Sequence, residues 1–289
     1  MSDNIVSISL DKYNLPAITI ELMEVTPDQA REWLLKNVKN RNLRKGIVGQ
    51  YGRDMATDNW AINGSTIVFS DTGILIDGQH RLNAIAALTA PGAAVPLLIV
   101  RGVKEQAKRT IDSGTKRTMG DRLKIDDMGA GSSNVLASLL RRAVMWEKGQ
   151  FVNAGGVLSP SPAEMYGYLE DNPGVLWSTE FASSSRRRIL APISVIAVAH
   201  WVTSRINSNA AAWFFAQLIE PTELPSGHAI HALSRKLTAE ASQRIGRANE
   251  TEMLAAFIIA WNHYRAGRSV SKIQMPKGGL KNSNFPLPK

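Results

Sequence analysis

Ile74-Leu75-Ile76-Asp77-Gly78-Gln79-His80-Arg81-Leu82 is the stretch on which the fold turns. Apolar, β-branched residues end a strand, a glycine lets the chain change direction, and from Leu82 the period changes. Leu82, Ile85 and Leu88 fall on one helical face until Pro91-Gly92 stops the element. Were Asp77-Gly78 a hairpin turn, alternation would come after it, and it does not. A strand that passes through glycine into a helix puts Gln79, His80 and Arg81 in the first helical turn. Helix starts present N–H groups and a partial positive charge, and glycine allows close approach to the backbone, so with Arg81 the segment suits an anion such as phosphate.

The neighbouring sequence predicts more of the same alternation. Residues 67–69 and 74–76 are short strands joined through Ser70-Asp71-Thr72-Gly73, a tight hairpin. A half-buried strand is expected over 17–24. Thr26-Pro27-Asp28-Gln29 is a helix start, with Thr26 as cap and Gln29 reaching back, for a helix over 27–38. A helix over 43–57 and a strand over 95–101 complete this part. Residues 124–133, polar and glycine-containing, form the expected boundary. Beyond it the patterns are helical: 134–148, a capping box at Ser161-Pro162-Ala163-Glu164 opening a helix to residue 170, then 193–206, 210–219, 228–240 and 250–266. Trp146, Trp177, Trp201, Trp213 and Trp261 are expected to fill a helical core. The predicted organisation is α+β, with a domain over 1–128 built on a small mixed sheet, an all-α domain over 129–270 and an extended tail over 271–289.

Asp77-Gly78-Gln79-His80-Arg81-Leu82, after a hairpin and before a helix, resembles the DGQHR form of the ParB/sulfiredoxin-like superfamily, typical of DndB-like and phage proteins. Asn40-Arg41-Asn42 is similar to the Asn-Pro-Arg segment of ParB chains without its proline. Arg109-Thr110-Ile111-Asp112-Ser113-Gly114 with Arg117-Thr118 resembles the segment that phage-type sequences carry after the DGQHR helix and its next strand. The resemblance covers about residues 15–125. It implies a ParB/sulfiredoxin-like fold and a turn that holds nucleotide phosphates. The phosphate role falls on Gly78 and Arg81, with Gln79 and His80 beside them, where ParB chains carry Glu and Arg. Sulfiredoxin chemistry needs a cysteine where this chain has Gln79, and the chain has no cysteine.

The resemblance also brings the segment after the 95–101 strand near the turn. Among Lys104, Lys108, Arg109, Asp112, Lys116 and Arg117, either Arg109 or Arg117 would clamp a second phosphate, and Asp112 would hold a metal or orient a base. A solvated helix end with Asp112 as a cap is the competing reading. A Walker loop is excluded, because its lysine would be Thr115. Asp77, Gln79 and His80 are the candidate catalytic residues if the turn carries phosphoryl chemistry. His228 and His231 have metal-ligand spacing without a clear third ligand.

Composition bounds the partners. The 289 residues hold 34 Lys and Arg against 25 Asp and Glu, a formal +9, and 44% are hydrophobic. Without cysteine, disulfides, thiolate metal sites and cysteine nucleophiles are excluded. The surplus is uneven: residues 1–130 hold 17 basic and 15 acidic side chains, residues 131–289 hold 17 and 10. A basic second part raises the expectation of DNA, through Arg41, Arg44 and Lys45 in the first part and Arg186, Arg187, Arg188, Arg265 and Arg268 in the second. The acidic N-terminal stretch and the lack of roughly 20 consecutive apolar residues lead to the expectation of a cytoplasmic chain with no membrane partner.

Three functions remain open from sequence. The first is a nucleotide-responsive DNA-binding protein of bacterial or phage type, with cytidine or adenosine triphosphate and Mg²⁺ as the implied cofactor and a homodimer as an open assembly. The second is an enzyme hydrolysing the nucleotide, or a metal-dependent nuclease or phosphoryl-transfer step in DNA modification. The third is a regulatory or interaction module without catalysis.

Overall fold

The computed structural model describes residues 5–8, 18–38, 40, 42–57, 59–111, 117–129, 132–152, 156–242 and 249–289. The chain is α+β and divides into two compact units. The first takes Met1–Lys116 with Gly155–Glu164, the second Arg117–Ala154 with Met165–Lys289. The division thus falls at 116/117 rather than the expected 128/129, and a later stretch of chain returns to the first unit.

Among the described residues the first unit is a five-stranded mixed sheet with three α-helices. Strands β1 (Ile5–Ile8), β2 (Ile18–Val25), β3 (Thr66–Ser70), β4 (Leu75–Asp77) and β5 (Val95–Val103) lie in the order β1-β2-β5-β3-β4. Among the described residues only β3 and β5 pair in parallel. β5 alternates strictly at its start, burying Val95, Leu97 and Ile99, whereas β3 is buried from Ile67 to Ser70. At the β3–β4 turn Gly73 takes φ +81°, and the Ile74 N–H donates to Ser70 Oγ at 2.9 Å.

Helices α1 (Pro27–Leu34), α2 (Lys45–Ala56) and α3 (Gln79–Ala86) pack on one another through α3. Thr26 caps α1 as its sequence predicts, accepting from Gln29 N at 3.3 Å. The helix ends four residues early. Leu75 N–H donates to the Lys36 carbonyl at 3.0 Å, so β4 takes an acceptor that a longer helix would use, and Leu35 and Val38 are left exposed. The core joins Trp33, Leu82 and Ile85 of the helices to Ile67, Phe69 and Leu75 of the sheet. Trp33 meets Phe69 edge-on at 5.3 Å, and the Arg101 guanidinium lies 4.7 Å from the Phe69 ring.

The segment that returns to the first unit is held by polar contacts to α2. Arg53 Nε and Nη2 donate to Glu164 at 2.9 and 3.1 Å, and Nη2 also reaches the Ser159 carbonyl at 2.7 Å. Ser161 Oγ donates to the buried Asp54 carboxylate at 2.5 Å. The predicted capping box forms here, with Glu164 N on Ser161 Oγ at 3.2 Å and Ser161 N on Glu164 Oε2 at 2.6 Å.

Among the described residues the second unit's regular elements are all helices. They are α4 (Met119–Ile125), α5 (Ser133–Glu147), α6 (Pro162–Asp171), α7 (Val175–Ser185), α8 (Ile193–Ser204), α9 (Ser208–Ile219), α10 (Ala229–Ser242) and α11 (Glu250–Arg265). The 3₁₀ turn Gly156–Leu158 and the first residues of α6 belong to the first unit. α8 is apolar all round and packs against α5, α7, α9 and α11, the arrangement such a helix requires. Two of the five tryptophans depart from the expected core role: Trp177 is 79% exposed and Trp213 41%. The tail past residue 270 has no regular element, yet it is packed. Ile273 and Phe285 are buried, and Lys289 N and the Leu287 carbonyl bond to Asn262. Among the described residues no helix is long and apolar enough to cross a membrane.

Candidate functional site

Gly78 is the residue that makes the strand-to-helix turn. It takes φ +102°, where side chains are strained, and a Cβ there would lie 2.4 Å from Ile67 Cδ1. Through this glycine the chain passes from β4, ending at Asp77, into α3, beginning at Gln79. The residues of the motif are far from the solvated set a surface turn would carry: Gln79 and His80 are each 6% exposed and Arg81 9%.

Each has a partner. Arg81 Nη2 donates to Asp77 Oδ2 at 2.9 Å. Gln79 Oε1 accepts from Asn37 Nδ2 at 3.2 Å, and Asn40 Nδ2 reaches both Asn37 Oδ1 at 2.5 Å and the Leu75 carbonyl at 2.9 Å. His80 Nε2 accepts the Arg44 backbone N–H at 3.1 Å, so the neutral ring carries its proton on Nδ1. Arg44 is the cap of α2, and this bond brings the starts of α2 and α3 together. The first turn of α2 has no acidic residue and begins with exposed Arg44 and Lys45, the reverse of what the helix dipole favours without an anion nearby.

A cleft of about 170 Å³ opens beside the turn, lined by Asn40, Asp77, Gln79, His80 and Lys108, with Ile76 and Ile111 as apolar floor. It combines two carboxamides, one imidazole, one carboxylate and one ammonium. Such a set can hold a phosphorylated ligand by charge at Lys108 and by direction at the carboxamides. Arg81 is not among the lining residues; its guanidinium is engaged with Asp77.

The predicted site residues therefore separate into groups. Asp77, Gln79 and His80 line one cleft, and Gly78 and Arg81 build it. Arg109 belongs to the 3₁₀ turn Glu105–Arg109, but its side chain, Asp112 and Arg41 lie outside the described residues. Arg117 is exposed, precedes the Thr118 cap of α4, and belongs to the second unit. Arg186, Arg187 and Arg188 are exposed after α7, with no ion-pair partner among the described residues. Arg265 lies 5.6 Å from the Trp261 ring, and Arg268 is exposed. Asn37 is a site residue that sequence reasoning misses: it lies 42 positions from Gln79, and nothing local marks it.

Among the described residues no group of three His, Cys, Asp or Glu side chains is placed to hold a metal. No family model, no curated protein and no solved structure matches the chain.

Proposed function

We propose that the protein is a nucleotide-responsive DNA-binding protein, in which a ParB/sulfiredoxin-like first unit takes the phosphates of a nucleoside triphosphate and the helical unit lies against DNA. The observation that carries the nucleotide half is the meeting of two helix starts at the Arg44–His80 bond, beside Lys108 and next to a cleft. Two dipole ends and nearby cations favour bound negative charge. Asp77 is the one carboxylate lining that cleft among the described residues, and it is already paired with Arg81. Mg²⁺ would then be held chiefly by the triphosphate itself, as hard cations keeping much of their water are. A nuclease reading, which would need carboxylates of its own to bind metal, has less support.

The DNA half rests on the surplus of basic residues over 131–289 and on Arg186, Arg187 and Arg188, exposed together. Calorimetric titration with cytidine and adenosine triphosphates, with and without Mg²⁺ and duplex DNA, tests both halves. Lys108→Ala should weaken nucleotide binding, and replacing the three arginines should weaken DNA binding and flatten its salt dependence. Unchanged affinities in these variants would overturn the corresponding half.

A further inference from the structure

We infer a second anion site, for a single phosphate group, in the helical unit, between the turn before α10 and the end of α11. A cavity of about 160 Å³ lies there, lined by Gly227, His228, His263, Tyr264, Arg268 and Ser269. Its walls are built by the backbone. The Gly227 carbonyl accepts from Ser269 Oγ at 3.1 Å and Val270 N at 2.9 Å, and a Cβ at 227 would lie 1.9 Å from that hydroxyl. Gly267, at φ +61°, closes α11, with its N–H on the Tyr264 carbonyl and Arg268 N on the His263 carbonyl. This brings Arg268 to the cavity wall.

Among the described residues the lining contains an arginine and two imidazoles but no carboxylate. Arg268 has no ion-pair partner among the described residues, whereas its neighbour Arg265 is taken up by Trp261. His228 Nδ1 accepts from Ile230 N at 3.3 Å, so the neutral ring offers Nε2–H as a donor. His263 Nδ1 is buried without a hydrogen-bond partner among the described residues, a condition few native polar atoms show. Trp213 stacks on Tyr264 at 4.9 Å and meets His228 edge-on at 5.8 Å, fixing that imidazole. Burial, with His231 close by, lowers the His228 pKa, and a bound anion would supply the missing counter-charge. The start of α10 favours an anion and the end of α11 opposes it, so affinity falls to Arg268 and the imidazoles. A metal ion fits less well: His231, the spacing partner of His228, faces the Leu224 carbonyl at 3.4 Å.

The test is a titration of the full chain with inorganic phosphate, monitored through its histidine imidazole resonances. The His228 and His263 signals should move saturably, and Arg268→Ala, with an unchanged melting temperature, should weaken the response about tenfold. His80 reports phosphate in the first unit's cleft separately, so success or failure at either site is read independently. Adenosine monophosphate forms a second arm. Tighter binding than phosphate assigns the site to a nucleotide beside Trp213, and equal binding assigns it to free phosphate. Immobile His228 and His263 signals, an Arg268→Ala response equal to the parent's, or movement with Zn²⁺ but not phosphate would each overturn the inference.

Discussion

Arg81 and Asp77 face each other at 2.9 Å across the glycine that turns β4 into α3, with side chains 11% and 29% exposed. The guanidinium is therefore first a clamp on the turn. Arg81→Ala should cost about 2 kcal/mol in urea unfolding, the scale of a charge-assisted hydrogen bond lost from a partly buried site. Arg81→Lys should recover only part of it, since an ammonium lacks the planar fork. Equal stability of parent and Arg81→Ala would show that the pair is solvent-screened and holds nothing.

Gly78→Ala should be more damaging. Alanine at φ +102° is strained, and its Cβ meets Ile67 Cδ1 at 2.4 Å and Ile67 Cα at 3.3 Å. A loss of about 2 to 4 kcal/mol is expected from strain and overpacking together. Ile67→Val removes the nearer atom but not the strain, so the double variant should recover part of the loss. Full recovery would place the whole effect on the collision.

Ser161→Ala tests the contact that holds the returning segment. It removes both the cap of α6 and a 2.5 Å hydrogen bond to the buried Asp54 carboxylate. Thermal melts should show a destabilisation of about 2 kcal/mol, more than a cap alone contributes. Ser161→Thr, which keeps the hydroxyl, should stay close to the parent.

Stability should depend on pH through His200. Its ring stacks on Phe181 at 4.3 Å, its Nδ1 meets Ser178 Oγ at 2.9 Å, and burial lowers its pKa to about 4. In the unfolded chain the ring takes a proton near pH 6.5, so between there and about pH 4 the unfolded state holds more protons. Stability is then full above pH 6.5 and falls as the medium is acidified toward 4, by at most about 3 kcal/mol. Urea unfolding across that window should show a smaller slope for His200→Gln than for the parent.

The sequence is most legible where local chemistry decides. The Thr26 and Ser161 caps, the 70–73 turn and the Gly78 turn all form as expected, because each depends on residues within a few positions. α4 escapes the sequence reading although Thr118 and Asp121 form a reciprocal capping box, because the resemblance draws those residues into the phosphate segment. The same bonds from Thr118 hold the Asp121 carboxyl below its ordinary range. α7 escapes it for a different reason. Its buried face carries Ser178, Thr179 and Ser185, so no apolar period shows; Thr179 bonds to the Val175 carbonyl one turn back, and Ser178 bonds to His200 on α8. Trp177 misleads in the opposite sense, since a large ring carries no sign of which side of a helix faces solvent. At the candidate site, Asp77 to Arg81 are readable as a group. Their partners Asn37 and the Arg44 N–H are not, because only the folded chain brings them near.

The return of Gly155–Glu164 to the first unit has a consequence for the order of events during synthesis. A nascent chain released as far as residue 128 lacks the serine and glutamate that engage Asp54 and Arg53 on α2. The first unit can finish folding only after residue 164 has emerged, by which time α4 and α5 are also outside the ribosome. Vectorial folding, in which an N-terminal domain is completed before the next begins, does not describe this chain. The first unit is completed only when part of the second is already outside.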